Sequence, residues 1–199
     1  MIKVIVFDWG GVLIDNPSSG LKEYCANSLG VSLQQYTDVM TQYKKDFQLG
    51  NILESDLWQK VSADLGGDVP QTESLWLDAV RTVFHEKMGM FDLIDKLKSE
   101  SYKIGFLSNT EIPAVEYWKE KNYEKYFDEA IFSCVEHVAK PDVRIYEIMC
   151  ERLNVESREV IFIDDKIEFI ESAKSIGMGG IMFETIEQTK SDLDKIINL

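Results

Sequence analysis

The sequence predicts a doubly wound, Rossmann-like parallel α/β sheet with an α-helical cap inserted after its first strand. Three observations point there. Residues 4–7 form a continuous β-branched and aromatic run that stops at Asp8-Trp9-Gly10-Gly11, the pattern of a strand buried on both faces and closed by a turn. From about residue 89 onward, strand-like and helix-like segments alternate, as βαβ units require. Between these two parts, residues 16–88 show helical periodicity with no comparable apolar run.

The elements follow in order. After the first strand, helical segments are expected near residues 20–29, 32–49, 54–65 and 72–87, punctuated by Gly30, Gly50-Asn51 and Gly66-Gly67. The second part reads as helix 91–99, strand 103–107, helix 113–121, strand 130–132, helix 142–153, strand 160–163, helix 168–176, strand 180–183 and a closing helix 191–197. The expected division is a core of residues 1–14 and 89–199 and a cap of residues 15–88.

Composition restricts the function. With 199 residues, 45% hydrophobic, and only 12 glycines and 4 prolines, the chain has enough apolar side chain for a core, which excludes disorder and fibrous repeats. Its 35 acidic against 21 basic residues leave a net charge of −14, which repels nucleic-acid backbones and anionic lipid surfaces. Three scattered cysteines, Cys25, Cys134 and Cys150, with no CxxC spacing, are expected to be free thiols, the latter two filling core space. Asp8 interrupts the apolar N-terminus too early for a signal-peptide core or a membrane span, so a cytoplasmic location is expected.

In an open parallel sheet, ligands bind beyond the carboxyl ends of the strands. That rule gathers Asp8, Ser108-Asn109, Lys140 and Asp164-Asp165 at one crevice. Three carboxylates there need a neutralising cation, and an all-oxygen donor set selects a hard divalent ion such as Mg2+. Together with Lys140 and the Ser108 hydroxyl, such an ion makes a local site for a phosphoryl group on an otherwise acidic protein. Each residue taken singly reads equally well as a turn former or helix cap.

In this order and spacing, Val4-Ile5-Val6-Phe7-Asp8, Phe106-Leu107-Ser108-Asn109, Lys140-Pro141-Asp142 and Phe162-Ile163-Asp164-Asp165 resemble the four motifs of the haloacid dehalogenase-like (HAD) hydrolase superfamily. The likeness is to helical-cap members similar to the N-terminal phosphatase domain of epoxide hydrolase. It implies a magnesium-dependent phosphohydrolase acting on a small phosphorylated metabolite, a sugar phosphate or similar, through an aspartyl phosphate on Asp8. By the same resemblance, Ser108 and the Asn109 backbone hold a phosphoryl oxygen and Lys140 balances charge. The metal is held by Asp8, the Gly10 carbonyl and Asp165, with Asp164 in support. The sequence sets no oligomeric state.

The chain departs from that pattern at Gly10, where phosphatases of the superfamily usually carry a second aspartate as general acid and base; such a group is worth ~10²–10⁴-fold in rate. Three readings follow: a substrate with a good leaving group, a proton supplied by Asp15 or His137, or an impaired enzyme that binds or regulates. Phe169 is a second departure, at a position where Asn or Asp is common, and is expected to loosen the surroundings of Asp165. A dehalogenase is the lesser alternative: it lacks the paired carboxylates and needs an arginine near the first strand, which Arg81, Arg144, Arg152 and Arg158 do not offer. Specificity is expected on the inner faces of the cap. There, Tyr43, Lys44, Lys45, Trp58 and Trp76 are candidates by residue type alone, the aromatics otherwise being core and the lysines solvated. Trp9 is expected to pack beneath the cap.

Overall fold

The computed structural model describes residues 1–197. Five parallel strands, β1 (Val4–Phe7), β2 (Lys103–Ser108), β3 (Glu129–Phe132), β4 (Val160–Asp164) and β5 (Gly179–Met182), form one sheet in the order β3-β2-β1-β4-β5. β1 is fully buried and alternates faces: Val4 and Val6 join one apolar cluster, Ile5 and Phe7 the other. The first cluster is covered by α8 (Val143–Leu153) and α9 (Ile167–Ser175), the second by α5 (Met88–Ser99), α6 (Ile112–Glu120) and α10 (Ile186–Ile197). Helices on both faces make the sheet doubly wound, as the sequence predicts.

Between β1 and α5 lie α1 (Ser18–Ser28), α2 (Leu33–Gln48), α3 (Glu54–Leu65) and α4 (Leu75–Val83). Local signals delimit them: Ser32 and Gln35 form a reciprocal capping box on α2, Ser74 caps α4, and Gly66 ends α3 in a left-handed conformation at φ 69°. α1 and α4 approach closely because Gly20 has no side chain; a Cβ there would lie 2.7 Å from Val83 Cγ1. No described helix is long and apolar enough to cross a membrane.

The structure revises several expected boundaries. The helix expected over 72–87 ends at Val83, because residues 85–87 turn back along the outgoing strand end. Asp15 N–H donates to His85 C=O at 3.0 Å and Lys87 N–H to Leu13 C=O at 2.8 Å, joining the entry to and exit from the helical insert. α10 starts at Ile186 rather than 191, since Thr185 Oγ1 accepts from Gln188 N–H at 3.1 Å and opens the helix earlier. The four-residue α7 (Ser133–Glu136) and the 3₁₀ turns Tyr123–Tyr126 and Ser157–Glu159 are too short to leave a periodic signal. The last two residues of the expected core, 198 and 199, lie outside the described residues.

Candidate active site

Strand register assembles the site. Phe7 pairs with Phe106 on one side and Ile163 on the other, so Asp8, one step beyond, stands between the ends of β2 and β4. Its backbone N–H donates to Ile163 C=O at 3.0 Å, carrying the ladder past the end of β1. Lys140 arrives from the loop before α8, donates from Nζ to Asp164 Oδ2 (2.6 Å) and Leu107 C=O (3.1 Å), and forms an ion pair with Asp8 Oδ1 at 2.7 Å. Asn109 holds that lysine in register: its side-chain amide bonds both the N–H and the C=O of Lys140, each at 2.8 Å.

Asp8, Lys140 and Asp164 are buried. Burial opposes the charge of Lys140, but Asp8 and Asp164 outweigh it and hold its pKa above the ordinary lysine value. Asp164 is pushed up by burial and by Asp8, against the pull of Lys140. Asp165 is raised for the same two leading reasons. Three carboxylates thus crowd one crevice, with Lys140 and Lys166 the cations that act on them.

The donor set fits a hard divalent cation. Oxygens of Asp8, Asp164 and Asp165 lie within 4.8 Å of one another, and Asp165 Oδ1 is buried with no hydrogen-bond partner. Both oxygens of Asp164 are already engaged, by Lys140 Nζ and by the Lys166 N–H at 2.9 Å. Gly10 takes no part in the hydrogen bonds of its turn, which run from Gly11, Val12, Leu13 and Ile14. Gly11 is required: at φ +89°, its absent Cβ would fall 2.1 Å from Asp165 Oδ2.

Above this cluster opens a cavity of about 620 Å³, within the range of small-molecule sites, lined by Asp8, Gly10, Ser108, Asn109 and Lys140 among others. The predicted residues Asp8, Ser108, Asn109, Lys140, Asp164 and Asp165 therefore converge. Asp15 and His137 do not join them. Asp15 is exposed beside Lys87, 3.8 Å away, and His137 meets the Leu49 carbonyl at the end of α2, 2.8 Å from its Nδ1. No described arginine lines the cavity.

Phe169 packs where a looser shell was expected. Its ring lies 5.0 Å from Lys140 Nζ and 4.9 Å from Lys166 Nζ, so an aromatic face supports both cations. Trp9 is buried as expected, edge-on to Phe84 and Phe106 at 5.0 and 5.4 Å. Of the cap candidates, Lys44 and Trp76 line the cavity and Lys45 a smaller neighbouring one, whereas Tyr43 bonds Asp64 and Trp58 bonds Glu54. Sequence reasoning passed over Gly11, Asn16, whose amide reaches Asp165 Oδ2 at 3.4 Å, and Glu111. Glu111 follows Ser108-Asn109-Thr110 directly and lies buried in the cavity wall, where burial pushes it up to about 7. A carboxylate at that position, ahead of an apolar helix start, was the available signal.

Known proteins resemble this chain over most of its length. A sesquiterpene phosphatase of Aspergillus oryzae is 26% identical, the match covering 98% of this chain and 96% of that protein. A D-ribitol-5-phosphate phosphatase of Bacteroides thetaiotaomicron is 28% identical over the whole of both chains. A HAD family enzyme from the same bacterium, solved with magnesium and inorganic phosphate, superimposes with a TM-score of 0.78 at 22% identity, covering 92% of this chain and 95% of that one. The family model of haloacid dehalogenase-like hydrolases matches residues 2–177 and so takes in every strand end that builds the crevice; this chain is an enzyme of that family.

Proposed function

We propose that the protein is a magnesium-dependent phosphohydrolase that acts on a small phosphorylated metabolite through Asp8. The observation that carries this reading is the cluster of Asp8, Asp164 and Asp165, the first two joined by Lys140 and the third with its Oδ1 unpartnered, from which Asp8 and Lys140 line a metabolite-sized cavity. Phosphatases of known substrate that match over the full chain support it. Residues 15–88 then form the cap over a core of residues 1–14 and 89–199, a division supported by the joined entry and exit strands.

Asp8 and Asp165, with the Gly10 carbonyl, would hold the metal, which Asp164 supports through Lys140. Bound there, Mg2+ supplies positive charge to the phosphoryl oxygens. An oxygen of Asp8 attacks phosphorus, the bond to the leaving oxygen breaks, and an aspartyl phosphate forms. Water then attacks phosphorus, the bond to Asp8 breaks, and phosphate departs with the carboxylate restored. Lys140 pairs with Asp8 and orients it; the Ser108 hydroxyl and the Asn109 backbone hold a phosphoryl oxygen. Gly10 offers no side chain to protonate the leaving group, so substrates with good leaving groups, such as sugar 1-phosphates and aryl phosphates, are favoured.

Hydrolysis of a phosphate-ester panel with and without Mg2+, comparing wild type with Asp8→Asn, tests the assignment. Magnesium-dependent turnover in wild type and at least a ~10³-fold loss in the variant are expected, in line with removal of a nucleophile. Two equally inert proteins would mean that the fold serves binding or regulation instead.

A further inference from the structure

The loop that leaves β1 toward the helical insert is held from outside by one side chain. Gly10 and Gly11 are adjacent, so the peptide between them carries little intrinsic restraint on its orientation. That peptide is trans, with its C=O and N–H pointing in opposite directions, and whatever fixes the Gly11 N–H also aims the Gly10 carbonyl. The Gly11 N–H donates to Ile14 C=O at 2.9 Å. Lys87, at the exit from the insert, then clamps both ends of this turn: its Nζ donates to Gly11 C=O at 2.7 Å and to Ile14 C=O at 3.2 Å. The ammonium lies 5.0 Å from the centre of the Phe183 ring, and Phe183 N–H donates to Asp164 C=O at 2.9 Å, which anchors the clamp to the sheet. Among the described residues, the carboxylate paired with Lys87 is the exposed Asp15, 3.8 Å away. The charge is therefore directed chiefly at two backbone carbonyls, and charge-assisted bonds of this kind are about twice as strong as neutral ones.

We propose that Lys87 is a positioning residue for the metal: by clamping Gly11 C=O and Ile14 C=O it aims the Gly10 carbonyl, keeps Gly11 against Asp165, and so sets the affinity for Mg2+ from the exit of the insert. This inference rests on the phosphohydrolase reading, which makes the Gly10 carbonyl and Asp165 donors to the ion. The fit between loop and ligand is close, since a Cβ on Gly11 would stand 2.1 Å from Asp165 Oδ2. Lys87 does not line the cavity, so it acts through the loop and not on the substrate. It also follows directly on Glu86, whose bridge to Ile14 closes the insert, and its own N–H donates to Leu13 C=O at 2.8 Å. The seating of the insert and the shape of the metal loop are thereby one mechanical unit. An apolar side chain at this position would take the Nζ donor from Gly11 C=O and release the turn.

Calorimetric titration of the full chain with Mg2+ alone tests this in wild type, Lys87→Met, Lys87→Gln, Lys87→Arg and Lys103→Met. Lys103 is the control, because its Nζ donates to Leu153 C=O at 3.0 Å at the opposite end of β2, a comparable lysine–carbonyl bond remote from the site. Lys87→Met should weaken Mg2+ binding at least about tenfold, the effect typical of groups that orient metal ligands. Lys87→Gln, which keeps an N–H donor without the charge and serves if the Met variant does not fold, should weaken it at least about threefold. Lys87→Arg, which keeps both charge and donors, should recover most of the loss, and Lys103→Met should bind as wild type does. Binding by the folded Met or Gln variant at Lys87 within about twofold of wild type overturns the role of Lys87 alone. So does an equal loss in Lys103→Met, the mark of general destabilisation. A wild type that binds no Mg2+ overturns both the role of Lys87 and the phosphohydrolase reading beneath it.

Discussion

At the scale of single residues, the site holds charges that the fold would be more stable without. Glu111 is raised from 4.5 to about 7 chiefly by burial, opposed by Gln48, Lys44 and Trp76, and it in turn helps to push up the neighbouring Cys25, Tyr36 and Cys134. The folded protein therefore binds a proton between these pH values that the unfolded chain has released. This contribution is fully present below pH 4.5 and is lost as pH rises through 7. At pH 8 the ionised side chain costs up to about 3 kcal/mol by this linkage. Glu111→Gln should accordingly raise the unfolding midpoint by several degrees at pH 8 and by nothing at pH 4, as followed by circular dichroism. A variant equally shifted at both values would sever the link to ionisation.

At the scale of elements, the seam between α2 and α7 sets how the insert sits on the sheet. Ser133 Oγ donates to Gln48 C=O at 2.7 Å, His137 meets Leu49 C=O, and Gly50 at φ +68° lies against Cys134, whose carbonyl oxygen would be 2.2 Å from a Cβ there. Gly50→Ala must both strain the backbone and open the seam. Gly30 shares the same φ with nothing within 4 Å, so Gly30→Ala reports strain alone. Gly50→Ala is expected to cost roughly 1–3 kcal/mol more than Gly30→Ala in denaturant unfolding. It should also raise KM for the preferred substrate, because the displaced end of α2 carries Gln48 and Lys44. Equal losses from the two substitutions would show that the seam bears no such role.

At the scale of the whole molecule, the sheet brings like charges together and leaves a cation to reconcile them. Magnesium at about 100 times its dissociation constant should stabilise the wild type by about 2.7 kcal/mol. Asp165→Ala should unfold no earlier than wild type without metal, since one repulsive carboxylate is gone, and should lose the magnesium increment. An undiminished increment in a thermal melt would place the ion elsewhere. The sequence by itself determined the parallel sheet and its insert, because continuous apolar runs and amphipathic stretches of period 3.6 are local properties. It also determined which residues end the strands, since turn chemistry at Asp8, Ser108 and Asp164 follows each apolar run directly. Only the tertiary structure decided that Gly11 must make room for Asp165, that Phe169 supports Lys140, and that Glu111 closes the cavity against α2. Each of these depends on distances between segments remote in the chain, which neither spacing nor composition encodes.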